Sequence, residues 1–146
     1  MALNRDRLLF RAADAGINRA CEGLRVVEDI TRFVFEDKHS SAVLKKTRHK
    51  ITSLARKVFP DYTKLLASRE SPCDVGRKIN TKTEFQRKNI VSVFTPNFKR
   101  TQESLRVLEE LSKIYNKKAA AGFKELRYNI YETEKKITLK YARRKT

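Results

Sequence analysis

Arg19 to Asp29 reads RACEGLRVVED, and Arg100 to Glu110 reads RTQESLRVLEE. Six of the eleven positions are identical: Arg19/Arg100, Glu22/Glu103, Leu24/Leu105, Arg25/Arg106, Val26/Val107 and Glu28/Glu109. Val27/Leu108 and Asp29/Glu110 are mild changes. At the same offset Asp14 falls on Thr95, and both are good helix N-caps. Thr95 is followed by Pro96, a residue suited to a first helical position. Further on, LKKTRHKI (Leu44 to Ile51) resembles FKELRYNI (Phe123 to Ile130), which pairs Arg48 with Arg127 and His49 with Tyr128. The sequence therefore reads as a duplicated unit roughly 60 residues long.

Each unit reads as helices. Ile17, Ala20, Leu24, Val27 and Val34 recur on one side between Ala15 and about Phe35, at helical spacing. Glu36 to Lys38 form a polar connection, and Ser40 or Ser41 caps the next helix. Its stripe is Leu44, Thr47, Ile51, Leu54 and Val58, and Pro60 ends it. In the second unit, Phe98, Leu105, Leu108, Leu111 and Tyr115 form one stripe; Phe123, Leu126, Ile130, Thr133 and Ile137 form the next. A shorter helix precedes each unit, around Leu8 to Ala13 and around Phe85 to Phe94. The expected fold is all-α: a helical bundle of two pseudo-symmetric repeats in one domain, residues 1–146. Repeat one spans about 4–60, a central loop about 62–81, and repeat two about 83–142. The central loop holds SRESPCDVGRK (Ser68 to Lys78), which groups Pro72, Asp74 and Gly76 in a chain with few breakers.

Composition agrees with helix and narrows the partners. Four glycines and three prolines are too few for a strand-and-turn architecture. Lys plus Arg number 34 against 17 Asp plus Glu, a formal +17, which attracts polyanions: nucleic acid, acidic lipid, or nucleotide and phosphate ligands. The basic tail, with Arg143, Arg144 and Lys145, reads as a solvated end. Cys21 and Cys73 form no CxxC pair, and two histidines complete no zinc-spaced cluster. No signal peptide or apolar run of membrane length is indicated, so a cytoplasmic protein is expected. Phosphate-loop, GxGxxG and protein-kinase motifs are absent.

The candidate chemistry lies in the repeated charges. On a helical wheel Leu24 and Val27 face the core. Glu22, Arg25 and Asp29 share the polar arc, with Arg19 and Glu28 at its borders. Surface ion pairs at i,i+3 are one reading. Both segments keep Arg where Lys is plentiful, and the planar guanidinium fork binds phosphate or carboxylate bidentately. Arg48 and Arg127 sit beside their apolar stripes, where they either snorkel or point into a cleft. A pseudo-symmetry axis would gather these arginines and acids around an anionic ligand, with Glu or Asp on magnesium.

INRACEGLRVVEDITRF (Ile17 to Phe33), LKKTRHKI, SRESPCDVG (Ser68 to Gly76), TEFQR (Thr83 to Arg87), NFKRTQESLRVLEE (Asn97 to Glu110) and FKELRYNIYETEK (Phe123 to Lys135) occur in this order. Together they resemble the small domain often fused ahead of thiamine phosphate synthase, a family associated with hydroxymethylpyrimidine phosphate kinase activity. The resemblance implies an ATP- and Mg²⁺-dependent transfer to 4-amino-5-hydroxymethyl-2-methylpyrimidine phosphate, here by a stand-alone or excised domain. It departs from the family at Gly16, where Asn is expected, whereas Asn97 is kept.

Within that reading Arg25, Arg106 and Asp74 are the catalytic candidates. Arg19, Arg48, Arg69, Arg100 and Arg127, with Gly76 and Asn97, are phosphate contacts. Tyr128 or His49 lines the pyrimidine pocket, and Glu28, Glu109 or Asp74 binds magnesium. Two other functions are carried forward: a basic helical nucleic-acid binder, and a non-catalytic partner of thiamine phosphate synthase. The oligomeric state, including a homo-oligomer, is left open.

Overall fold

In the computed structural model, which describes residues 2–79, 81 and 86–143, the first segment folds as one long helix. This helix, α1, covers Ala2–Asp29. It continues through Asp14, so the separate short helix expected at Leu8 to Ala13 is fused to the helix that carries the first charged motif. Asp14 does not cap a helix because its carboxylate is committed to Arg69 of the central connector. A π-helical turn, Ile30–Val34, ends this arm. The wider turn holds one extra residue and rotates the register. Thr31 is therefore buried, while Val34, expected in the core stripe, is exposed beside Phe33.

After Glu36, at φ 50°, helix α2 runs Lys38–Val58. Its cap is Asp37 rather than Ser40 or Ser41: the Asp37 carboxylate accepts from the Ser40 N–H at 3.0 Å. The same carboxylate accepts from Lys140 Nζ at 2.7 Å and from the Tyr141 hydroxyl, tying the start of α2 to the end of the last helix. Pro60 follows Phe59, the residue that closes α2, and a short helix, α3 (Tyr62–Ser68), opens the central connector. A 3-10 turn at Val91–Val93 leads into α4, Phe94–Tyr115. Thr95 and Pro96 thus lie inside its first turn. Helix α5 is Lys117–Ala142, capped by Asn116, which accepts from the Ala119 N–H. Thr83 to Phe85, Arg144 and Lys145 lie outside the described residues. No strand occurs among the described residues.

The bundle is built on α1 packed against α4, with α2 beside α1, α5 beside α4, and α2 touching α5. Leu24, Val27, Leu44, Ile51, Phe98, Leu105, Leu108, Phe123 and Ile130 meet in one continuous core. The two central helices approach closely at Gly23. A Cβ there would stand 2.6 Å from the Asn97 carbonyl oxygen and from Thr101 Oγ1, closer than packed atoms tolerate. Beside it the Thr101 hydroxyl donates to the Ala20 carbonyl at 3.1 Å. Gly16 faces Leu108 and Ser104 while Gly23 faces Asn97, so α1 and α4 run antiparallel.

Candidate phosphate-binding site

The antiparallel crossing decides which charged residues meet. Glu28 and Glu109 each lie eight residues beyond the Ala20–Thr101 contact, in opposite directions. At the rise of an α-helix that places them about 24 Å apart. The two acidic motifs therefore do not converge on a shared axis. Each forms its own lattice. Glu28 is buried, and its carboxylate accepts from Arg48 Nε at 3.0 Å, with Arg25 Nη1 at 3.6 Å. Arg25 also reaches Asp29 at 3.3 Å. Glu109 is likewise buried and accepts from Arg127 Nη2 at 2.9 Å and Arg106 Nη1 at 3.0 Å. Arg106 also reaches Glu110 at 2.9 Å.

These sets hold helices to one another. Arg48 projects from α2 onto α1, and Arg127 from α5 onto α4. The Tyr131 hydroxyl and the Glu109 carboxylate together raise the Arg127 pKa above its ordinary value. Glu28 and Glu109, read as magnesium ligands, are enclosed by arginines. Among the described residues no group of three or more His, Cys, Asp or Glu could hold a metal ion. Tyr128 and His49 are exposed on α5 and α2. Tyr128 packs edge-on against Tyr131, and the Arg127 guanidinium stands 5.3 Å from its ring.

The remaining arginines do come together. A cleft of about 400 Å³ lies between the first half of α1 and the central connector, lined by Arg11, Arg19, Arg69, Ser71 and Asp74 among others. A second, about 550 Å³, lies over the α1–α4 crossing and takes in Gly16, Arg19, Lys99, Arg100 and Glu103. Arg19 and Ala12 belong to both, so the two adjoin. Arg19 is exposed and makes no hydrogen bond or ion pair to a described residue.

The connector is fastened over α1 from several sides. Arg69 Nε and Nη2 donate to the two Asp14 oxygens at 2.8 and 2.9 Å, and this raises the Arg69 pKa. Arg11 donates to the Glu70 carbonyl at 3.3 Å, and Arg7 pairs with the Glu70 carboxylate. Asp74 Oδ1 accepts from the Gly76 N–H at 2.9 Å, an Asx turn. Its other oxygen has no partner among the described residues.

The family profile of ThiD2 matches residues 11–136. The chain belongs to the ThiD2 family. Curated relatives include the thiamine-phosphate synthase of Rhodopirellula baltica, 37% identical over 136 residues that cover 93% of this chain and 36% of that protein. Those of Nostoc punctiforme and Thermosynechococcus vestitus are 36% and 38% identical over 131 residues, each covering 90% of this chain and 36% of the relative. The chain thus spans about a third of the length of these relatives. No solved structure gives a significant match.

Gly16, which falls on Asn97 in the repeated pattern, has a local consequence in this ThiD2 chain. In α4 the Asn97 side chain is turned into the helix: its Nδ2 donates to the Val93 carbonyl at 2.8 Å, and its Oδ1 accepts from Arg100 Nη1 at 3.3 Å. Gly16 offers Arg19 no such acceptor, which leaves that guanidinium open to the cleft. Sequence reading missed Arg11 and Lys99. Arg11 lies eight residues before Arg19, on the same helical face, and Lys99 adjoins Arg100. Both signals were present in the spacing.

Proposed function

We propose that this ThiD2 chain acts in thiamin biosynthesis as an ATP-dependent kinase. Its substrate is hydroxymethylpyrimidine phosphate and its product the diphosphate. The observation that carries the reading is Arg19, without a partner among the described residues, shared by two adjoining clefts and flanked by Arg11, Arg69, Lys99 and Arg100. Such a cationic trough, of ordinary ligand-site size, suits two phosphorylated molecules side by side. Family membership and the relatives' names support the pathway.

The transfer joins an oxygen of the substrate's phosphate to the γ-phosphorus of ATP and breaks the bond from that phosphorus to the β-phosphate bridging oxygen. ADP leaves. The attacking phosphate oxygen is ionised near neutral pH, so no strong general base is needed. Positioning and charge neutralisation dominate, as in phosphoryl transfer generally. Arg19 and Arg100 spread their donors over the phosphates at the crossing, and Arg69, held by Asp14, presents its outer edge to the first cleft. Asp74, with one carboxylate oxygen unpaired among the described residues, is the residue fitted to a magnesium ion held mainly by phosphates, the usual manner of that ion. Magnesium there would neutralise phosphate charge.

The test is ADP release from ATP and magnesium by the purified chain, with hydroxymethylpyrimidine phosphate as acceptor and the unphosphorylated pyrimidine and no acceptor as controls. Release that depends on the phosphate ester supports the kinase. No release from a folded sample rejects it. A second reading is favoured by the relatives, in which this sequence matches about a third of a thiamine-phosphate synthase: a non-catalytic partner of that enzyme. It expects stable complex formation with the remainder of such a synthase, without turnover by this chain.

A further inference from the structure

Behind the Asp14–Arg69 bridge lies a pocket that none of Arg11, Arg19, Arg69 and Arg100 lines. It occupies about 260 Å³ between α1, α2 and α3. Ile17, Cys21, Ala55, Phe59 and Leu65 give it apolar walls, and Asp14, Asn18, Thr52, Arg56 and Tyr62 add polar groups. Asp14 lines both this pocket and the first arginine cleft, so the two adjoin at Asp14, with Arg69 on the side of the arginine cleft. The volume falls just below the range typical of drug-sized ligands, which leaves room for a single ring and excludes a nucleoside with its sugar.

Of the polar groups in the lining, Asn18 and Thr52 mark what that ring carries. The Asn18 carboxamide lines the pocket, is half-buried, and has no hydrogen-bond partner among the described residues. It offers one acceptor and two donors. The Thr52 hydroxyl donates to the Arg48 and His49 carbonyls at 3.1 and 3.0 Å, so toward the pocket it can only accept. A carboxamide pairs bidentately with a ring nitrogen that stands beside an exocyclic amino group, and the second amino hydrogen is left for another acceptor.

We infer that this pocket, with Asn18 as its reading residue, seats a small amino-substituted heteroaromatic ring whose phosphate reaches past Arg69 into the arginine cleft. The inference rests on the kinase reading and names where the pyrimidine of that substrate sits. It also moves the ring from Tyr128 and His49, which line none of these cavities, to the opposite side of α1 from the crossing.

The experiment is an amide NMR titration of the full chain with unphosphorylated 4-amino-5-hydroxymethyl-2-methylpyrimidine. Shifts are expected at Ile17 to Cys21 and Thr52 to Ala55. Asn18→Leu, checked for an unchanged circular dichroism spectrum, is expected to weaken ring binding about tenfold or more while leaving inorganic pyrophosphate binding unchanged. Should that variant fail to fold, Thr52→Val makes the same comparison. Shifts confined to the α1–α4 crossing or to α5, equal affinity in the variant, or no binding would each overturn the assignment. The two readings fail separately. Ring binding here without ADP release retains the pocket and removes the kinase. ADP release with an unchanged KM for the pyrimidine phosphate in Asn18→Leu does the reverse.

Discussion

Arg19 and Arg25 lie on one helix, six residues apart, and have opposite surroundings. Arg25 is held by Glu28 and Asp29, whereas Arg19 faces two clefts with no partner among the described residues. Arg19→Ala is therefore expected to weaken pyrophosphate binding about tenfold, in line with loss of one charge-assisted contact, while Arg25→Ala leaves it unchanged; isothermal titration of both variants decides. Arg48→Met has a different signature. It leaves the buried Glu28 carboxylate without its closest cation, and breaking such a pair costs about 3–5 kcal/mol. Denaturant unfolding should show that loss with phosphate affinity preserved. How much of this was legible depended on the residue. The paired arginines and glutamates stood out in the sequence, but a wheel drawn on α1 alone put Glu28 at a polar border. Only α2, lying over it, makes that position interior.

Helices were legible as elements because their apolar stripes are regular; their ends were less so. Asp14 and Thr95 looked like caps, yet each helix passes through them. In α1 the reason is a partner 55 residues away. Val34 was lost from the core stripe because a π-helical turn cannot be seen in a 3.6-residue pattern. The geometry dictates two outcomes at the scale of elements. Gly23→Ala gains about 1 kcal/mol in intrinsic helix propensity, but its methyl group overlaps α4 backbone, and overpacking costs about 1–3 kcal/mol. The melting temperature should fall, whereas Gly76→Ala, on the exposed connector, should leave it unchanged. At the start of α2, burial pushes the Asp37 pKa up, but the hydrogen bonds from Lys140, Ser40 and Tyr141 outweigh it and hold the carboxyl well below its ordinary value. A depressed folded pKa stabilises the native state above the unfolded value of about 4, and that contribution is lost as pH falls through the folded one. Asp37→Asn keeps a cap but not the charge. Its deficit in melting temperature should be constant near neutrality and should shrink on acidification below about pH 4.

At the scale of the whole molecule, a formal +17 remains once every acidic residue is counted against a basic one, and Arg11, Arg19, Arg69, Lys99 and Arg100 bring part of it to the clefts. Pyrophosphate affinity should fall as salt rises, because exposed charges are screened. A steep loss of binding to arbitrary single-stranded nucleic acid, with little base preference, would instead support the nucleic-acid reading. The direction of α4 relative to α1 was not legible at all, since matching stripes pack either way and the connector between them is long. That direction sets the distance between the Glu28 and Glu109 lattices, and distance governs energetic coupling. Sites this far apart with no shared partner lose stability additively. Combining Glu28→Gln with Glu109→Gln should give the sum of the single losses, with a coupling energy near zero in a double-mutant cycle. Each lattice is in that sense a separate lock on its own helix pair, and a lineage can weaken one without making the other harder to keep.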